Sequence, residues 1–139
     1  MCYPKPGPRC AYHSRAALTV AQWRTTEAGV RVAELREKMH AGDESCRDES
    51  LREEYGKAVG DWERAGFARL HARDAYESTP KGQRELQAVA LRGKGTQAGV
   101  DAQVRLESAR KRRAHQMLAL AQLRAGLPGR PGRACRTPP

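Results

Sequence analysis

The 139-residue chain has no isoleucine and no asparagine, a single phenylalanine, and aromatic residues at only 5 % of positions. The missing isoleucine bears most on the fold, because β-branched and aromatic side chains are what a strand packs with. A sheet-based architecture is therefore not expected. No apolar run approaches the ~18 residues of a membrane-spanning helix. Pro4, Pro6, Gly7 and Pro8 stand where a signal peptide would carry its apolar stretch. Both absences lead to the expectation of a cytoplasmic protein with no membrane segment. Large apolar residues are scarce as well: leucine, valine and phenylalanine together number 19, below the roughly 20 % at which a charged chain becomes a candidate for disorder. Any core must be thin.

What the chain does have is alanine, 22 residues, and arginine, 20 against 6 lysines. That bias is the codon signature of a GC-rich genome, and it weakens any argument resting on arginine count alone. Alanine, leucine, arginine, glutamate and glutamine favour helices, so the fold class expected is all-α. Leu18, Ala21, Thr25, Ala28, Val32, Leu35 and Met39 follow a 3,4 spacing within residues 14–41, the pattern of a heptad seam. Leu51, Tyr55, Ala58, Trp62, Ala65, Arg69, Ala72 and Tyr76 continue it over 50–78, after a Ser50/Glu53 capping box. Two seams joined by a short polar turn predict an antiparallel helical hairpin, with Val32, Leu35, Tyr55 and Trp62 between the helices. Thr79-Pro80 is a cap and first position for a short third helix to Leu91. Gly93-Lys94-Gly95 breaks that helix. A long basic helix follows from about Gln97 to Ala125, with Val100, Val104, Met117, Leu118, Ala121 and Leu123 as its apolar contribution. The organisation expected is thus a Pro-rich Cys/His knot at 1–13, a helical domain at 14–126 and a basic Pro/Gly tail at 127–139.

Charge is segregated along the sequence. Residues 1–24 hold four basic and no acidic side chains, 25–91 hold eleven basic and fourteen acidic, and 92–139 hold eleven basic and two acidic. The C-terminal third is the cationic part, and a polyanion is what it would attract, because neutralising phosphates releases counterions. Arg105 and the run Arg110-Lys111-Arg112-Arg113 are the candidate phosphate contacts. Four consecutive helical positions sweep ~300° of arc, so they cannot all face one groove. Pro128-Gly129-Arg130-Pro131-Gly132-Arg133 partly resembles an AT-hook, in which an extended arginine enters the minor groove. Proline replaces the arginine usually found before the glycine, which leaves Arg130 and Arg133 as the candidate contacts of a partial hook or a plain tail.

Cys2, Cys10 and His13 surround a proline-stiffened turn. Soft thiolates with an imidazole suit a closed zinc site, which takes four ligands. If the hairpin folds about residue 45, residue i lies beside roughly 90 − i, and His71 is then the best internal fourth ligand. A Cys2–Cys10 disulfide is the alternative in an oxidising compartment, and an unmetallated N-terminal cap is the plainer one. No catalytic constellation stands out. Glu53, Glu54, Asp61 and Glu63 read as the polar face of a helix. Leu91-Arg92-Gly93-Lys94-Gly95-Thr96 lacks both the Lys-Thr adjacency and the preceding strand of a phosphate loop. An enzyme is not expected.

The opening MCYPKPGPRCAYH and the stretch ARDAYESTPKGQRELQ resemble a group of small proteins of actinobacteria and their phages that begin with a cysteine followed by Lys-Pro-Gly-Pro-Arg-Cys and a histidine. The resemblance carries no activity; it implies a phage or mobile-element accessory protein. Two functions follow as expectations: nucleic-acid binding through the C-terminal third, or a protein-interaction module in which the heptad seams, or Trp23, Trp62 and Phe67, engage a partner helix or form a homodimer.

Overall fold

The computed structural model describes residues 10–41 and 48–126. These form four helices, α1 (Ala11–His40), α2 (Glu49–Glu77), α3 (Pro80–Arg92) and α4 (Gln97–Gly126), and no strand is present among the described residues. The protein is all-α. Its helices divide into two compact units, α1 with α2 and α3 with α4, separating after Glu77, where the sequence reading places one helical domain over 14–126.

The ends of the helices follow from local chemistry. Asp48 caps α2: its Oδ1 accepts from the backbone N–H groups of Ser50 at 3.0 Å and Leu51 at 3.4 Å. The helix therefore starts one residue before Ser50, with Asp48 in the capping role that the Ser50/Glu53 pattern suggests for Ser50. Thr79 caps α3 by accepting from Gly82 N at 3.1 Å, with Pro80 in the first turn, where its missing N–H costs nothing. Thr96 does the same for α4, its hydroxyl oxygen accepting from Gly99 N at 3.2 Å. Gly95, at φ 83°, supplies the left-handed residue that turns the chain between α3 and α4.

Within the first unit α1 and α2 run antiparallel. Arg15 Nη1 donates to Tyr76 Oη at 3.1 Å, the Thr25 hydroxyl donates to Ala65 O at 3.1 Å, and Arg31 pairs with Glu54 at 3.6 Å. The Trp62 indole lies over Gly29, where an added Cβ would sit 3.3 Å from its Nε1. The residue numbers in the two hydrogen bonds and in the Gly29–Trp62 approach add to 91, 90 and 91, one constant antiparallel register. The line from Leu18 through Ala21, Thr25, Ala28, Val32 and Leu35 to Met39 is half-buried or buried throughout, as are Leu51, Tyr55, Ala58, Ala65, Ala72 and Tyr76 opposite. Arg69 is exposed and Trp62 is 46 % exposed. Leu35 is the best-buried large side chain of the unit, at 1 %, and its removal from water contributes ~1.5–3 kcal/mol.

The second unit packs α3 on α4 through Leu86, Leu106 and Ala109. On α4 the buried residues are Gly99, Ala102, Leu106 and Ala109, spaced 3,4,3. Val100, Val104, Met117, Leu118, Ala121 and Leu123, the apolar contribution expected of this helix, are all exposed. The reason is steric. Gly93 and Gly99 touch backbone to backbone, and a Cβ on Gly99 would lie 2.0 Å from Gly93 O, so the face turned to α3 must be the small-residue face.

Candidate functional site: the basic helix and the Cys/His pair

The cationic run lies on α4 just past the end of the α3 contact. Leu86, Leu106 and Ala109 form the buried cluster between the two helices, and the run begins at the next residue, Arg110. Arg110 and Lys111 are exposed, whereas Arg112 and Arg113 are half-buried. Arg112 Nε donates to Ser78 Oγ at 3.1 Å, a charge-assisted bond that ties α4 to the residue just before the Thr79 cap. Ser78 is itself 2 % exposed. One of the four consecutive basic side chains is therefore part of the fold, and the helical arc divides the run into two outward and two inward members. Arg105 is half-buried and also engaged within the chain. Arg130 and Arg133 lie outside the described residues.

Beyond Glu107, α4 carries no acidic residue. Its exposed surface combines Arg110, Lys111 and Arg124 with Ala114, Met117, Leu118, Ala121 and Ala125. At 100° per residue the last five form one apolar stripe. Sequence reasoning found the cations and the large apolar residues but not the helix's inner face. The 3,4,3 spacing of Gly99, Ala102, Leu106 and Ala109 was the signal for the true inner face.

At the start of α1 the Cys10 thiol lies 3.1 Å from His13 Nδ1. Cys10 is the N-cap residue and offers no side-chain cap bond to the helix, so its sulfur turns to the imidazole one turn on. The His13 ring also meets Tyr12 edge-on, with centroids 5.5 Å apart. Two zinc-type donors are thus adjacent, although a tetrahedral ion would hold them about 3.6 Å apart, given its Zn–S and Zn–N bond lengths. Cys2 lies outside the described residues. His71 does not join the pair. The hairpin register places it near residue 19 or 20, roughly 13 Å along the axis from Cys10 at 1.5 Å per residue, and no three His, Cys, Asp or Glu side chains gather as a metal site among the described residues.

The remaining sequence candidates fall on ordinary surface. Glu54 pairs with Arg31 and Asp61 with Arg64; Glu53 and Glu63 are exposed. Residues 93–96 form the turn between α3 and α4, closed by Thr96 N donating to Gly93 O at 2.9 Å. Both heptad seams face the neighbouring helix of their own chain, so a homodimer through those seams would require the hairpin to open. No helix among the described residues is long and apolar enough to cross a membrane. The sequence matches no protein-family model, no curated protein and no solved structure.

Proposed function

We propose that this small basic helical protein binds nucleic acid through its C-terminal third, as an accessory protein of a phage or mobile element. The observation that carries the reading is the stretch from Ser108 to Pro139, which holds eight basic side chains and no acidic one. Such a segment gains affinity for a polyanion from released counterions. Arg110 and Lys111, exposed on α4, are its contacts on the helix, and Arg130 and Arg133 extend it along the tail. Arg112 contributes less to binding, because its guanidinium is held by Ser78. The phage or mobile-element setting rests on the resemblance of the N-terminal motif.

The test is titration of labelled duplex and single-stranded DNA and RNA over a range of salt. Binding should weaken steeply with salt, and Arg110→Gln with Lys111→Gln should flatten the slope of log K against log salt by up to ~0.9 per lost phosphate contact. A salt-independent affinity, or none at about 50 mM salt where phosphate contacts are strong, refutes it. A second reading, a protein-interaction module, is favoured by the exposed Met117, Leu118 and Leu123 on the same helix. Apolar helix pairing would persist at high salt. A zinc ion held by Cys2, Cys10 and His13 is a separate part of the proposal, supported by the adjacency of the Cys10 and His13 donors.

A further inference from the structure

With 30 residues against 13, α4 outruns α3, and its last buried residue is Ala109. From Ala114 to Gly126 every residue is exposed except the half-buried Leu120. About 20 Å of helix, at 1.5 Å per residue, therefore has its surface open to a partner. By itself a helix of this length is marginal in water.

Side chains on this overhang are sorted about the helix axis. Taking the stripe of Ala114, Met117, Leu118, Ala121 and Ala125 as the front, Lys111 borders it on one edge and Arg124 on the other, each about 70° from the centre. The half-buried Arg113 stands beside Arg124, and Arg110 lies within the stripe at its N-terminal end. Arg112 falls at the back, where Ser78 holds it. Three of the four consecutive cations, together with Arg124, thus frame one face, and no acidic residue follows Glu107.

A face of small residues between two cationic rims complements a groove whose floor is base edges and whose walls are two phosphate strands. The major groove of B-form DNA is about 12 Å wide and admits an α-helix, whose own diameter is about 10–12 Å. Alanine methyls suit contact with thymine methyls there, and arginine at the front is the residue type that pairs with guanine O6 and N7. The minor groove, about 6 Å wide, is too narrow, and A-form RNA has a deep, narrow major groove that side chains cannot read. A lipid surface fits less well: Leu120 and Leu123 lie more than about 100° from the centre of the stripe, so no single face gathers the apolar side chains as a bilayer interface requires.

We propose that α4 docks its residues 110–125 in the major groove of B-form double-stranded DNA, which rests on the nucleic-acid reading above and narrows it to one form. Ala114, Ala121 and Ala125 turn to the base edges. Lys111 meets the phosphates of one strand, and Arg113 and Arg124 those of the other.

Ala121→Glu and Ala119→Glu test it, because both add one negative charge at an exposed position of the same helix, Ala121 at the front and Ala119 about 150° away at the back. The full chain is titrated with a DNA duplex of about 20 base pairs, two helical turns, and with one of its strands, at about 50 mM salt where phosphate contacts are strong. Ala121→Glu should weaken duplex binding about tenfold or more and Ala119→Glu less than about threefold, since only the first carboxylate faces the groove. Single-strand binding should respond alike to both, and helicity by circular dichroism should be equal. A duplex carrying glucosylated 5-hydroxymethylcytosine, whose sugars fill the major groove, should bind more weakly than the unmodified one. Equal losses of duplex binding in the two variants, or equal affinity for the two duplexes, overturns the groove docking while leaving nucleic-acid binding in place. Absence of binding to duplex and single strand alike overturns both.

Discussion

Replacing Gly99 by alanine adds one methyl group where the backbones of Gly93 and Gly99 touch. The new Cβ would lie 2.0 Å from Gly93 O and 2.4 Å from its carbonyl carbon, against about 3.3 Å for a close C···O approach. Both atoms are backbone and cannot rotate away, so the ends of α3 and α4 must part by more than about 1 Å. Parting them strains the bond from Thr96 N to Gly93 O, now 2.9 Å, and the bond from the Thr96 hydroxyl to the same oxygen, now 2.6 Å. Overpacking of this kind costs roughly 1–3 kcal/mol, a lost hydrogen bond about 1 more, and alanine returns at most ~1 as the better helix former. The net expectation is a loss of about 2 kcal/mol. Gly56→Ala provides the control, because a Cβ there meets nothing within 4 Å, so the same chemical change should stabilise α2 by about 0.5–1 kcal/mol. Urea unfolding followed at 222 nm measures Gly99→Ala, and tryptophan fluorescence measures Gly56→Ala, since Trp23 and Trp62 both lie in the hairpin. If the two substitutions move stability in the same direction, the close approach of Gly93 and Gly99 is not what the geometry says it is.

Three further outcomes are expected. Leu35→Ala, at a site 1 % exposed, should cost about 2–4 kcal/mol in urea unfolding. Arg112→Gln should lower stability by about 1–2 kcal/mol through its bond to Ser78, while Arg110→Gln stays within about 0.5; in nucleic-acid titrations the order should reverse, with Arg110 mattering more. Metal analysis of protein purified without chelator should find close to one equivalent of zinc, released by chelation with a change near the N-terminus, and a content below ~0.2 equivalents counts against the site.

Much of this architecture is legible in the residues because heptad spacing and capping chemistry are local. Thr79-Pro80 marks the start of α3, and the 3,4 spacing from Leu18 to Met39 marks the less exposed line of α1. The inner face of α4 is not legible in the same way. Hydrophobicity singles out Val100, Val104 and Leu118, but the close approach of two helices selects glycine and alanine, whose contribution is the room they leave. The cap of α2 sits two residues upstream of Ser50 because Asp48 accepts from the Ser50 and Leu51 amides and draws Ser50 itself into the first turn. At the candidate interface the run of four basic residues is visible in the sequence, yet which of them turns inward depends on Ser78, a residue thirty-four positions away. For His71 the same hairpin register that puts it on the N-terminal half leaves it about two turns from the first turn of α1, a distance that sequence spacing alone does not show.

Both helix pairs join segments adjacent in sequence, through the links at 41–48 and 93–96. Closing such short loops costs little chain entropy, and topologies dominated by local contacts fold in microseconds to milliseconds. Each pair carries within itself the partner that its inner face needs. The hairpin ending at Glu77 can consequently take shape on the ribosome while the residues that will become α3 and α4 are still being synthesised, at the ordinary pace of a few to some twenty residues per second.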